Sequence, residues 1–248
     1  MSEVTRAAPR VPPERAAVRP IAYGPVDIAC TPRPDRTLVM HSRRTLEPFD
    51  ANLARMFRHA VERHPQRLYL AERAPDGSWA GVTYQSARQQ VDAVAQALID
   101  RGLSDARPVM ILSGNAVEHA LLMLACFTAA VPVAPVSVAY SLQSRDYAQL
   151  RHIANLLTPG LVYVADTALF AAALGALDSQ WELAAGRNGA NLPKVTSFNA
   201  LTQTRPTAAI DEAVRTIGSD TIAKFLFTSG STGVPKAVIN ASLVSARV

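Results

Sequence analysis

Cysteine is scarce. The 248 residues contain two, Cys30 and Cys126, and neither belongs to a C-x-x-C pair or a Cys/His cluster. No disulfide framework and no zinc site are expected, and a reducing, cytoplasmic setting fits. Lysine is almost as rare: Lys194, Lys224 and Lys236 are the only three, so the formal net charge of +5 rests on arginines spread along the chain. A nucleic-acid-binding surface would cluster its charge and interleave aromatics for base stacking, and aromatics here are only 6%. The arginines are read as solvated faces, and no nucleic-acid partner is expected. Long apolar runs are missing too. Residues 1–20 are polar and rich in Pro, Arg and Ala, without the apolar core of a secretory signal. The most apolar stretch, residues 120–140, is broken by Pro132 and Pro135, which leaves no helix long enough to span a bilayer. It reads as a buried helix followed by a buried strand.

What is present is an ordinary globular balance, 49% hydrophobic and 18% charged, in a chain long enough to bury a sizeable core. Residues 1–45 hold seven prolines between Pro9 and Pro34, which suppress helix and predict an extended arm. Residues 46–248 are read as the folded domain. Asp50 is placed to cap a helix carrying Leu53, Phe57 and Val61, which ends before Pro65. Residues 67–72 and 78–82 predict two short strands joined at Asp76-Gly77. Residues 83–100 predict a helix with Ala87, Val91, Val94, Ala95 and Leu98 on one face, stopped by Gly102. Strand 109–112, helix 116–130, strand 131–136, helix 145–157, strand 161–165 and helix 167–177 continue the alternation. Residues 178–191 are polar and contain glycine, and are expected as a surface loop. This βαβα order predicts an α/β fold, a mainly parallel sheet with helices on both faces, whose ligands gather at the carboxyl ends of the strands.

The chemistry concentrates in residues 228–236, Thr-Ser-Gly-Ser-Thr-Gly-Val-Pro-Lys. Glycines let a backbone turn its N–H groups toward an anion, hydroxyls donate further hydrogen bonds, and a lysine adds a mobile positive charge. An apolar, strand-like entry at residues 224–227 and exit at residues 237–239 frame the run. It is not a Walker A loop. Lys236 follows Pro235 and precedes Ala237, so the Gly-Lys-Ser/Thr step that would place a hydroxyl on magnesium is absent. Other catalytic patterns also fail. Ser113 lies in Ser-Gly-Asn, not in a G-x-S-x-G elbow, and residues 113–115 are read as ending a strand and capping the next helix. His59, His64, His119 and His152 show no zinc-ligand spacing, and no metal ligand is assigned.

Residues 227–238, Phe-Thr-Ser-Gly-Ser-Thr-Gly-Val-Pro-Lys-Ala-Val, closely resemble the phosphate-binding signature of the AMP-forming adenylating enzymes. That family includes acyl-CoA synthetases, firefly-type luciferases and peptide-synthetase adenylation domains. The resemblance extends over roughly residues 46–240, through Thr83-Tyr84 opening a helix, the strand into Ser113-Gly114-Asn115 and the proline-containing strand at 131–136. Within the family, Ser113-Gly114-Asn115 with Glu118-His119, and Ala134-Pro135-Val136-Ser137 with Ala139-Tyr140-Ser141, look most like feruloyl-CoA synthases and related aryl acid:CoA ligases.

The resemblance implies a two-step reaction on a small-molecule carboxylic acid, ATP with Mg²⁺, and coenzyme A. It implies that Thr228, Ser229, Ser231 and Thr232 donate to the β and γ phosphates and that Gly230 and Gly233 permit close approach. Lys236 would neutralise charge and is the candidate catalytic residue. The family's adenine-flanking segment, ribose-binding aspartate, magnesium ligand and small C-terminal domain follow this signature, and residues 241–248 depart from the family pattern. The sequence is therefore expected to be the N-terminal part of an adenylation domain, incapable of making acyl-adenylate by itself. The alternatives are a non-catalytic nucleotide-binding module, or another adenylating chemistry of peptide-synthetase or luciferase type.

Overall fold

A computed structural model describes residues 24–45, 49–50, 52–177, 180–189, 192–228 and 233–242. The chain divides into two compact units at Pro48. In the first, strands β1 (Ile28–Pro32) and β2 (Leu38–Ser42) form an antiparallel hairpin, so the proline-rich arm carries regular structure in its second half. Its turn is fastened by Asp35, whose Oδ1 accepts from the Thr37 N–H at 3.0 Å and the Thr37 hydroxyl at 2.7 Å.

The second unit opens with helix α1 (Leu53–Arg63), the hairpin of β3 (Leu68–Arg73) and β4 (Trp79–Thr83), and helix α2 (Tyr84–Asp100). The Asp-Gly turn is formed as its residues dictate, with Gly77 at φ +82°. Thr83 caps α2 by accepting from the Ser86 N–H at 3.2 Å. The cap of α1 differs from expectation. Asn52, not Asp50, receives the Arg55 N–H at 3.0 Å, while its Nδ2 donates to the Val214 carbonyl at 2.9 Å. Asp50 sits two residues earlier, accepting from the Asn52 N–H and pairing with Arg55.

Next come β5 (Val109–Leu112), α3 (Val117–Thr128), β6 (Val133–Val136), α4 (Ala139–Leu142), α5 (Ala148–Leu157) and β7 (Leu161–Asp166). After these follow α6 (Ala171–Gly175), β8 (Glu182–Arg187), β9 (Val195–Ser197), α7 (Phe198–Thr202), α8 (Ala209–Thr216), β10 (Ile222–Thr228) and β11 (Lys236–Ala241). Among the described residues the sheet has seven strands in the order β11-β10-β6-β5-β7-β8-β9, parallel except for β11 at one edge. The chain steps from β5 to β6 on one side and then returns to β7 on the other. That reversal puts α3 and α5 on opposite faces and opens a crevice at the carboxyl ends of the central strands.

Strand β5 shows why the two cores separate. All four of its residues are buried, Val109 and Ile111 facing the core built with α2 and α3, Met110 and Leu112 the core built with α5. The apolar run at 120–140 resolves as the end of α3 followed by β6. No described helix is long and apolar enough to cross a membrane.

The expected surface loop at 178–191 is overturned in its middle. Glu182–Arg187 is strand β8, parallel to β7 with Tyr163 opposite Ala184, and Ala184 and Ala185 are buried. The segment has no β-branched or aromatic residue, so local propensity is silent and pairing with β7 decides its conformation. Gly186 is needed there because a Cβ would meet the Glu118 carboxylate, the Ala165 carbonyl at 2.8 Å and the Tyr163 hydroxyl at 2.9 Å.

Candidate functional site

Strands β10 and β11 form a hairpin whose tip lies at the carboxyl edge of the parallel strands. Phe225 and Phe227 anchor it by packing into the core beneath α5. The register puts Thr228 opposite Lys236, so the first and last residues of the phosphate-binding run are neighbours across the hairpin neck. The Thr228 hydroxyl makes a long contact of 3.5 Å to the Lys236 carbonyl. Ser229, Gly230, Ser231 and Thr232 lie outside the described residues. Gly233 is described, at φ +81°, with no heavy atom within 4 Å of where a Cβ would stand. Its backbone conformation, rather than lack of space, calls for glycine.

The stem that follows is less free. Pro235 is buried, and its carbonyl lies 3.2 Å from Nε2 of His152 on α5. A carbonyl can only accept, so this ring nitrogen carries the proton. Lys236 is exposed and has no carboxylate within ion-pair reach among the described residues. Between α5 and the hairpin runs a groove of about 680 Å³, walled by Leu156, Leu157, Phe225, Pro235 and Ile239 with Lys236 at its margin. An uncompensated cation, a left-handed glycine and a hydroxyl at the neck of one short turn suit an anion.

Glu72, Glu118 and His119, around the start of α3, make structural contacts instead. Residues 113–115 do not cap α3. The capping position is Ala116, and the carboxylate comes from β3, where Glu72 Oε2 accepts from the Val117 N–H at 2.9 Å. On the next residue, Glu118 accepts from the Tyr163 hydroxyl at 2.6 Å. Burial, then the Glu118 carboxylate, push the Tyr163 phenol far above its usual range. His119 Nδ1 lies 3.1 Å from the Gly114 carbonyl, and burial lowers its pKa against that bond. Among the described residues no group of three or more His, Cys, Asp or Glu side chains converges. The participant that sequence reasoning missed is His152. Its partner is 83 residues away, and neither the helical period of α5 nor the spacing of histidines signals that pairing.

The sequence profile of the family described as AMP-binding enzyme matches residues 57–241. The FR901469 synthetase of Dothideomycetidae sp. (strain 11243) is 28% identical over 214 residues, which is 86% of this chain and 1% of that protein. Among solved structures, the luciferase-like enzyme from the nonluminescent Zophobas morio mealworm superposes with a TM-score of 0.61 at 17% identity, over 81% of this chain and 45% of that one. The fatty acyl-adenylate ligase from L. pneumophila, in complex with acyl adenylate and pyrophosphate, gives a TM-score of 0.55 at 18% identity, over 78% and 31%. The chain thus spans less than half the length of each of these proteins, and the structural likenesses establish the fold.

Proposed function

The chain belongs to the AMP-binding enzyme family, and from that premise we propose that it supplies the nucleotide-phosphate end of an adenylate-forming acid:CoA ligase. In the reaction proposed, a carboxylate oxygen attacks the α-phosphorus of ATP, the bond from that phosphorus to the bridging oxygen breaks, and pyrophosphate leaves. The thiol sulfur of coenzyme A then attacks the acyl carbon, gives up its proton, and displaces AMP to form the thioester. What obstructs the first step is charge: an anion must approach a polyanion, and a polyanionic leaving group must be held.

The observation that carries the proposal is the hairpin turn closed by Thr228 and Lys236, with Gly233 left-handed and Lys236 exposed without an ion-pair partner among the described residues. In this reading Lys236 neutralises the β and γ phosphates and Thr228 donates from the neck. Ser229, Gly230, Ser231 and Thr232 complete the cradle. The described residues offer no converging carboxylates for a resident magnesium ion. In this reading Mg²⁺ enters with the nucleotide, as ATP-Mg²⁺. The acid proposed is an aryl acid of the ferulate type, supported by the resemblance of residues 113–119 and 134–141 to aryl acid:CoA ligases.

Calorimetric titration with ATP-Mg²⁺ tests the site. Losing a charge-assisted hydrogen bond predicts that Lys236→Ala weakens binding about ten- to a hundredfold. Equal heats from the two proteins would rule the loop out as the phosphate site. Carboxylate-dependent ATP–pyrophosphate exchange with ferulate, a fatty acid and an amino acid panel then separates the chemistries. Exchange driven by amino acids would replace the aryl acid with a peptide-synthetase type of substrate. Binding with no exchange by any acid is the result expected if this chain alone makes no acyl-adenylate, and exchange with any of them would overturn that expectation.

A further inference from the structure

His152 reaches the phosphate loop from a helix whose other face is buried in the core. Leu150, Ile153 and Ala154 of α5 have no exposed surface, and Leu157 is nearly as buried, so the helix is fixed against the sheet by the face opposite to solvent. Near its N-terminal end the first helical residues turn another face toward the hairpin. There Ala148, Gln149 and His152, spaced i, i+1 and i+4, border the stem of Gly233, Val234 and Pro235 around a small cavity of about 160 Å³.

The hydrogen bond from His152 falls on a consequential atom. The carbonyl of Pro235 and the N–H of Lys236 belong to one planar peptide unit. A donor 3.2 Å from that carbonyl therefore fixes the plane from which the Lys236 side chain departs. Proline restricts its own φ and contributes no donor, so the stem has few other ways to secure itself. On its far side the same residue is held by the Thr228 register at the hairpin neck. Lys236 is thus bracketed by a strand partner on one side and an imidazole on the other.

We propose that His152 is a positioning residue for the phosphate loop: its Nε2–H holds the Pro235–Lys236 peptide against α5 and sets where the lysine charge meets the nucleotide. This rests on the reading of the loop as a phosphate site, and two measurements keep the two ideas apart. The first uses no nucleotide. Amide hydrogen exchange over residues 233–241 should rise about two- to tenfold in His152→Ala, the equivalent of one net hydrogen bond. It should return to the wild-type rate in His152→Gln, whose amide offers an N–H at similar reach.

The second is the ATP-Mg²⁺ titration. His152→Ala should weaken binding by a similar two- to tenfold factor and lower the thermal midpoint by only about 1–6 °C, with His152→Gln close to wild type in both. Unaltered exchange in His152→Ala, or failure of glutamine to restore it, overturns the clamp. Normal wild-type binding with an unchanged dissociation constant in His152→Ala overturns the positioning role alone. Absence of any wild-type heat overturns the phosphate reading and the positioning role with it.

Discussion

Tyr163→Phe removes one oxygen atom from the middle of the sheet, and its consequences can be worked through. Tyr163 has no exposed surface, and its ring meets Phe198 edge-on at 5.7 Å. Phenylalanine keeps that contact and the apolar burial. What disappears is the donor 2.6 Å from Glu118. Loss of a hydrogen bond to a charged group costs about 1.5–3 kcal/mol, which at about 2–4 °C per kcal/mol for this chain length lowers Tm by roughly 3–12 °C. The pH dependence gives a sharper test. Burial and the Glu118 carboxylate raise the folded-state pKa above the unfolded value, so the stability the phenol contributes is complete below about pH 10 and declines above it. Each pH unit beyond that erodes the wild-type advantage by about 1.4 kcal/mol.

Urea midpoints of wild type and Tyr163→Phe at pH 8, 10, 11 and 11.5 make the comparison. Tyr69, whose phenol is also raised by burial, is common to both proteins and cancels. The phenylalanine variant should be weaker at pH 8, and the gap should close within about two units above pH 10. Equal midpoints at pH 8, or a gap that stays constant to pH 11.5, would refute the assignment of Tyr163 as the neutral donor to Glu118.

Gly186→Ala should cost about 1–3 kcal/mol, because the new methyl meets a backbone carbonyl that cannot yield as well as the Tyr163–Glu118 pair. Measured by thermal unfolding, its effect should combine non-additively with Tyr163→Phe, since both act on one hydroxyl. Asn52→Ala should cost about 1–3 kcal/mol by removing the cap of α1 and leaving the buried Val214 carbonyl without its donor. Circular dichroism melting checks it, and a loss below about 0.5 kcal/mol would show the cap to be dispensable.

How far the sequence foretold the structure depends on where each determinant sits. Strand β5, the Asp-Gly hairpin and helix α2 were legible because their signals lie within a few residues of one another. Strand β8 was not, since Leu183, Ala184 and Ala185 become strand by pairing with β7. Helix α3 was found from its apolar run, but its cap was misplaced because the carboxylate comes from Glu72, 45 residues away. The site divides the same way. The composition of residues 228–236 announces an anion-binding turn, whereas the tie from His152 to Pro235 exists only once α5 is laid beside the hairpin.

The attachment of that hairpin also sets how it can move. Strand β10 faces β11 along six registered positions, but it meets β6 with Lys224 opposite Val133 as the registered parallel pair. Separating β10 from β11 would therefore break more registered pairs than separating β10 from β6, so the hairpin is one beam rather than two strands. The six steps between its seven residues, at about 3.3 Å each, make that beam roughly 20 Å long. It is held near its base by the Lys224–Val133 pair, along its length by Phe225 and Phe227 in the core, and near its tip by Pro235 against α5. A displacement of α5 therefore has one residue, Pro235, between it and Lys236.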